Sequence, residues 1–308
     1  MRRGQPLKQP SNERHMPEPG TYLLTNVGFS HDEKPLLLLQ TNEQFIDAHP
    51  LAMSFTLTFD MSQRFCIGWR DITNGERAAC PNQLTVNAKY EQCPACQKRT
   101  GFNPAFYHAA SVSPQQEARN SEPHLVYLAH FGTGVIKVGI SHSKRRRSRL
   151  LEQGARTAII LGEFSTAHIA RHYEKQIASL DGISEMIQLR KKSALLATEY
   201  DREGARRELE AKVDNIQATL GVQFDHSNVI ALDEIYFPDE LISTARAHPS
   251  PRPHILSGTC IGQLGSFLFC RQSDEIFYLP LKKYIGHKVN ITDTVIPMDI
   301  APRQTSLL

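Results

Sequence analysis

Residues 124–156 read HLVYLAHFGTGVIKVGISHSKRRRSRLLEQGAR. Two apolar, β-prone runs, residues 125–131 and 135–140, flank Gly132, Thr133 and Gly134, a short glycine-bearing connection that predicts a hairpin. The next ten residues, 144–153, are strongly basic and helix-compatible, and Gly154 marks their end. A third strand is predicted over 157–164. Ser165 then reads as the cap of a helix, because Ala170, Tyr173, Ile177 and Leu180 recur at three- and four-residue steps. The resulting order is strand, strand, helix, strand, helix.

On the C-terminal side, residues 184–220 are rich in Ala, Leu, Glu, Lys and Arg and predict one or two further helices before Gly221. After Asp233 the chain turns β-rich. Pro249, Pro251 and Pro253 suggest a linker, and Gly258, Gly262 and Gly265 interrupt apolar runs at spacings that suit bends or bulges. These glycines do not form a dinucleotide loop, because no helical pattern follows them. On the N-terminal side, residues 103–123 form a polar stretch suited to a domain boundary. In residues 54–60, Phe55, Leu57 and Phe59 alternate with polar neighbours, as in a half-buried strand. Residues 1–20 lack apolar periodicity and predict a disordered tail.

The expected class is therefore α+β, with a β-rich N-terminal part over 21–120, a central αβ domain over 121–222, and a small β-barrel-like C-terminal part over 223–308. At 308 residues and 40% hydrophobic content, the chain has material for two or three cores. Its 35 basic and 32 acidic residues nearly cancel, so attraction to a polyanion must come from local clusters. The densest apolar run, residues 36–39, is far shorter than the roughly 20 residues of a membrane helix. Arg2 and Arg3 precede no apolar segment of a secretory signal. A soluble, cytoplasmic protein is the expectation.

Six cysteines in such a chain suit metal or redox chemistry better than a disulfide scaffold. Cys93 and Cys96 form a CxxC, and Cys66 and Cys80 lie upstream in a turn-rich stretch. Four thiolates suit tetrahedral zinc, and the CxxC loop can place two of them on one ion with little strain. Ordinary buried cysteines and a thioredoxin-like redox pair are the alternatives. Structural zinc with a folding role is the leading reading. Cys260 and Cys270 read as small core residues.

The LVY strand, the KVG strand, the arginine-bearing helix and the later glutamate in ARHYEKQI resemble, in that order, the GIY-YIG nuclease domain. The likeness covers roughly residues 124–200. The wider combination of the CxxC, VYLAHFGTG, KVGIS and RLLEQGA resembles a bacterial family of unknown function with a zinc-binding N-terminal part. The nuclease resemblance implies that Tyr127 positions or deprotonates a water, that Arg147 or Arg149 holds the phosphate, and that Glu174 binds a single Mg²⁺ or Mn²⁺. Cleaving a phosphodiester requires these three services.

Lys137 departs from the pattern, standing where the second motif carries a tyrosine. Buried, it could act as a base; as an ammonium, it would bind phosphate. Lys144, Arg145 and Arg146 are the expected nucleic-acid contacts, and His142, His168 and His172 are near enough in sequence to join a site. The leading function is metal-dependent hydrolysis of DNA or RNA. The alternatives are a catalytically inactive nucleic-acid-binding module and a zinc-stabilised scaffold for a protein partner.

Overall fold

A computed structural model describes residues 15–42, 44–102, 112–224, 229–238 and 242–298, apart from the side chain of Arg146. The alternating run over 54–60 becomes strand β4 (Ser54–Asp60), preceded by β1 (Gly20–Phe29), β2 (Pro35–Gln40) and β3 (Phe45–Ala48). The cysteine segment adds a two-stranded ladder, β5 (Trp69–Arg70) with β6 (Arg77–Ala78), and helix α1 (Pro94–Thr100). A helix also forms inside the stretch read as a boundary. In this helix, α2 (Pro114–Asn120), Pro114 fills the first turn and Ser113 Oγ accepts the Gln116 N–H as a cap. The rest of that stretch, residues 103–111, lies outside the described residues.

The hairpin forms from β7 (His124–Gly132) and β8 (Val135–His142), and it pairs Tyr127 with Gly139 and Ala129 with Lys137. A 3₁₀ turn (Ser143–Arg145) leads into α3 (Arg146–Gln153), which Gly154 ends in the left-handed region at φ 75°. Strand β9 (Thr157–Phe164) pairs with the other edge of β7. Helix α4 (Ala167–Ala178) is capped by Thr166 and not by Ser165, because Thr166 has the extended backbone that lets its hydroxyl accept the Ile169 N–H. Next come β10 (Ile183–Ser184), α5 (Leu189–Leu195), α6 (Arg202–Leu220), β11 (Val229–Ala231) and α7 (Asp233–Tyr236). The remaining strands are β12 (Ala247–Pro249), β13 (Ile255–Leu264), β14 (Phe267–Gln272), β15 (Glu275–Pro280) and β16 (Lys288–Thr292).

The fold is a mixed α+β structure, but the C-terminal strands do not form the expected barrel. They join the N-terminal strands in one open nine-stranded sheet of order β12-β15-β14-β13-β4-β16-β1-β2-β3. Strand β4 lies between β13 and β16, so those two strands spend their edges on it and cannot close on each other. The glycines do sit at irregularities: the register shifts between Cys260 and Gly262, and Gly265 turns the β13–β14 hairpin. The expected tail is only partly described. Residues 1–14 lie outside the description, whereas Met16 packs against the core of the large sheet.

The central unit has a five-stranded sheet of order β10-β8-β7-β9-β11. Strand periodicity splits its hairpin into two faces. Val126, Leu128, Ile136 and Val138 join the core beneath α4 and α6, whereas Tyr127, Ala129 and Phe131 turn the other way, toward Phe267, Phe269 and Tyr278 of the large sheet. The fully buried Tyr236 fixes α3 at this junction, its hydroxyl donating to the Ala155 carbonyl at 2.7 Å just past the helix end. No helix among the described residues is long and apolar enough to cross a membrane.

Candidate functional site

Strand geometry dictates which hairpin side chains share a face. Tyr127 on β7 stands opposite Gly139 on β8, and Lys137, two residues from Gly139, lies on that same face. Tyr127 is buried, and its ring occupies the space a side chain at 139 would need. Helix α3 brings Arg149 to this face, and the amide of Gln153 bridges the two. Its carbonyl oxygen, so oriented, lies 3.1 Å from Tyr127 Oη and 2.9 Å from both Nε and Nη2 of Arg149, accepting from both residues. Burial raises the Tyr127 pKa while Arg149 opposes the rise, so the phenol stays protonated.

Glu174 lies on the inward stripe of α4 with Ala170 and Ile177, and it is 5% exposed. Its carboxylate accepts from Arg171 Nη1, and Arg171 Nη2 lies 3.4 Å from Glu185 beyond β10. Lys137 stands within electrostatic reach of Glu174, Glu185, Arg149 and Arg171. Desolvation dominates there and lowers its pKa to about 8, with Glu174 opposing the shift. Its Nζ donates to the Val138 carbonyl at 2.8 Å.

These side chains line one cleft of about 1660 Å³, and Tyr127, Lys137, Arg147, Arg149 and Glu174 are all on its wall. The two arginines have different company. Arg147 is half-exposed and pairs with Glu33 in the β1–β2 turn at 2.8 Å, whereas Arg149 faces Tyr127. Lys144 and Arg145 also line the cleft, yet neither is a bare cation, because Lys144 pairs with Glu122 at 3.0 Å and Arg145 pairs with Glu152. The side chain of Arg146 lies outside the described residues.

His142 lines the cleft as a buried group whose Nε2 is 2.7 Å from Glu122 and whose Nδ1 accepts the Lys144 N–H at 3.1 Å. Desolvation lowers its pKa, so it is a neutral structural bridge. His168 and His172 are exposed on α4, away from the cleft.

Arg171, Glu185, Gln153 and Lys192 were not singled out in the sequence. Arg171 could have been, since it lies three residues before Glu174 and so shares its helix face. Lys192 on α5 donates to the Gln153 backbone carbonyl at 2.6 Å, and desolvation lowers its pKa to about 8 with help from Lys137. Nothing local in the sequence marks Lys192 or Glu185.

The four cysteines do converge. The sulfurs of Cys66, Cys80, Cys93 and Cys96 are buried and lie within 4.8 Å of one another, and Cys80 and Cys93 are 4.0 Å apart. A tetrahedron with Zn–S bonds of about 2.3 Å has sulfur–sulfur edges near 3.8 Å, so the set fits one zinc ion. The CxxC does begin a helix, as a redox pair would, but the upstream thiols complete a four-sulfur cluster around it. The Cys93 N–H points at Cys66 Sγ at 3.1 Å, and the Cys96 backbone N–H holds the Cys93 thiol down to about 7. Cys260 and Cys270 are buried opposite each other in the large sheet and take no part.

The divalent ion expected on Glu174 fits less well. Arg171 already holds that carboxylate, and Cys66, Cys80, Cys93 and Cys96 are the only metal-ligand group of three or more among the described residues.

Neither a curated protein nor a solved structure matches this sequence. Residues 89–289, a span that contains the hairpin, Arg147 and Arg149 of α3 and the second cysteine pair, match the family described as "Protein of unknown function (DUF2797)". The chain belongs to that family.

Proposed function

We propose that the cleft hydrolyses phosphodiester bonds of nucleic acid, with Lys137 as the base. One observation carries this reading: the lysine that replaces the expected tyrosine is half-buried in the cleft that Tyr127, Arg149 and Glu174 also line, with its pKa drawn down to about 8. A general base works best when its pKa lies near the operating pH.

In this scheme Tyr127 orients a water and the neutral Lys137 amine takes its proton as the oxygen attacks phosphorus. The bond from phosphorus to the leaving sugar oxygen breaks, and that alkoxide takes a proton from solvent. Arg149 stabilises the charge that builds on the phosphoryl oxygens. No step is routed through a divalent ion, because Glu174 is engaged by Arg171.

That same pair favours a second reading, a module that binds nucleic acid in the cleft without cutting it. The test is cleavage of single- and double-stranded DNA and RNA, with and without added Mg²⁺ or Mn²⁺, by wild type, Lys137→Met and Glu174→Ala. Cutting that disappears in Lys137→Met supports the enzyme. Binding without cutting supports the module, and a requirement for added metal lost in Glu174→Ala would place the ion where Arg171 now sits.

A further inference from the structure

We propose that the wall of the cleft formed by the cysteine module and α2 holds a second phosphate group, on Arg70, Arg119 and Arg145. Arg70 ends β5, Arg119 lies in the last turn of α2 and Arg145 closes the 3₁₀ turn after β8, and all three line the cleft that contains Lys137. Arg119 is within electrostatic reach of both Arg145 and Arg70. Neither Arg70 nor Arg119 forms an ion pair among the described residues.

The nearby carboxylates each have a partner, one of them Arg145 itself, and none pairs with Arg70 or Arg119 among the described residues. Glu122 binds His142 and Lys144, Glu152 binds Arg145, and Asp71 accepts from the Thr73 and Asn74 amides. Desolvation lowers the Arg119 pKa most, Glu122 opposes the fall, and Arg145 and Arg70 add to it, so each of the two neighbouring guanidiniums repels the charge on Arg119.

A second observation points to a ligand. Asn120, next to Arg119 and 4% exposed, has an Nδ2 with no acceptor, and Ser143 Oγ in the same cleft is buried without a partner. Buried polar groups are nearly always satisfied, so unmatched donors beside clustered guanidiniums indicate a missing acceptor-rich group. Planar guanidinium forks match phosphate oxygens in geometry and charge.

The cysteine centre helps to build this site. Arg70 lies between Cys66 and Cys80, and its N–H donates to Thr100 Oγ1 at 3.4 Å on the helix that carries Cys96. A strand crossing the cleft would set one phosphate here and another by Arg149. Assigning the group to a nucleic-acid strand rests on the function proposed above, whereas phosphate binding itself does not.

The experiment titrates the zinc-loaded full chain with pyrophosphate and with short fluorescent DNA and RNA oligonucleotides, using wild type, Arg119→Gln, Arg70→Gln and Lys137→Met. Melting temperature and zinc content confirm the fold, and exposed Arg70 gives a variant that does not disturb a buried contact. Each arginine change is expected to weaken binding about tenfold and to lower the salt slope for oligonucleotides by about one. Oligonucleotide binding identifies the occupant as a backbone, and pyrophosphate binding alone identifies it as a free polyphosphate. Affinity unchanged in both arginine variants, or no binding of either probe, overturns the site. Loss of cutting in all proteins with phosphate binding intact would overturn only the hydrolytic reading.

Discussion

A Cβ built on Gly139 would lie 2.5 Å from Tyr127 Oη and 2.6 Å from its Cζ. The glycine of the second strand is thus the seat of the tyrosine of the first, and the short KVG and LVY motifs are two halves of one packing contact. Backbone conformation does not require glycine there, since only the lack of a side chain leaves room for the ring. Gly139→Ala is expected to lower stability by roughly 1–3 kcal/mol, as overpacking does, and to reduce any activity of the cleft. Urea unfolding that matches wild type would show that the ring has another place to go.

Lys137 and Lys192 give a pH signature. Both have pKa values lowered from 10.5 to about 8 by burial. Between about pH 8 and 10.5 the unfolded chain binds more protons than the folded one, so stability rises with pH across that window. Below it both states are protonated and the full desolvation cost remains. Above it both states are neutral and that cost is gone. Lys137→Met should remove more than half of the rise, because Lys137 also helps to lower the Lys192 pKa, and should stabilise the protein at pH 7. Denaturant midpoints from pH 7 to 10.5 would show this, and a flat profile in wild type would refute it. If Lys137 is the base, cleavage should also rise with an apparent pKa of about 8.

The two motif arginines should separate kinetically. Arg149→Ala is expected to reduce cleavage about a hundredfold or more, the scale for loss of a charge-stabilising group. Arg147→Ala should cost severalfold at most, because its guanidinium is committed to Glu33. Equal losses in single-turnover assays would reject the assignment of Arg149.

One zinc per chain is expected from elemental analysis. Cys96→Ala should abolish it, whereas Cys260→Ser and Cys270→Ser should leave it intact. Chelation should expose residues 66–100 to proteolysis before the nine-stranded sheet melts, because the core of that segment is the four sulfurs with Trp69 and Val86, and Ile67 is its one side chain packed on the core of the large sheet among the described residues. Zinc retained in Cys96→Ala would contradict the four-sulfur centre.

Asp233→Ala should destabilise the fold by about 3–5 kcal/mol. The Arg156 guanidinium grips both carboxylate oxygens of Asp233 at 2.9 and 3.2 Å, and the two residues are 7% and 6% exposed, so the change strands a buried charge. The exposed Arg206–Glu210 pair on α6 offers a control, because a solvated ion pair contributes little to stability. Comparable losses at both sites would argue that Arg156 reaches water.

The sequence determined several elements of the central sheet: the hairpin, β9 over 157–164, the Gly154 and Gly221 helix ends, and the inward placing of Glu174, but not β10 or β11. Each depends on local periodicity or a local stop signal, which a chain carries without knowing its neighbours. The cysteine set was legible for a similar reason, because thiolate chemistry narrows what four clustered residues can do.

Tertiary structure alone decided that β4 lies between β13 and β16, since strand pairing is set by edges brought together from some two hundred residues apart. It also converted most of the described basic run into ion pairs and left Arg149 beside Tyr127. Finally, it desolvated the half-buried Lys137 enough to shift its titration. Charge and pKa depend on solvent exclusion and on partners from other elements, such as Glu33, Glu122 and Glu174, which one-dimensional spacing does not contain.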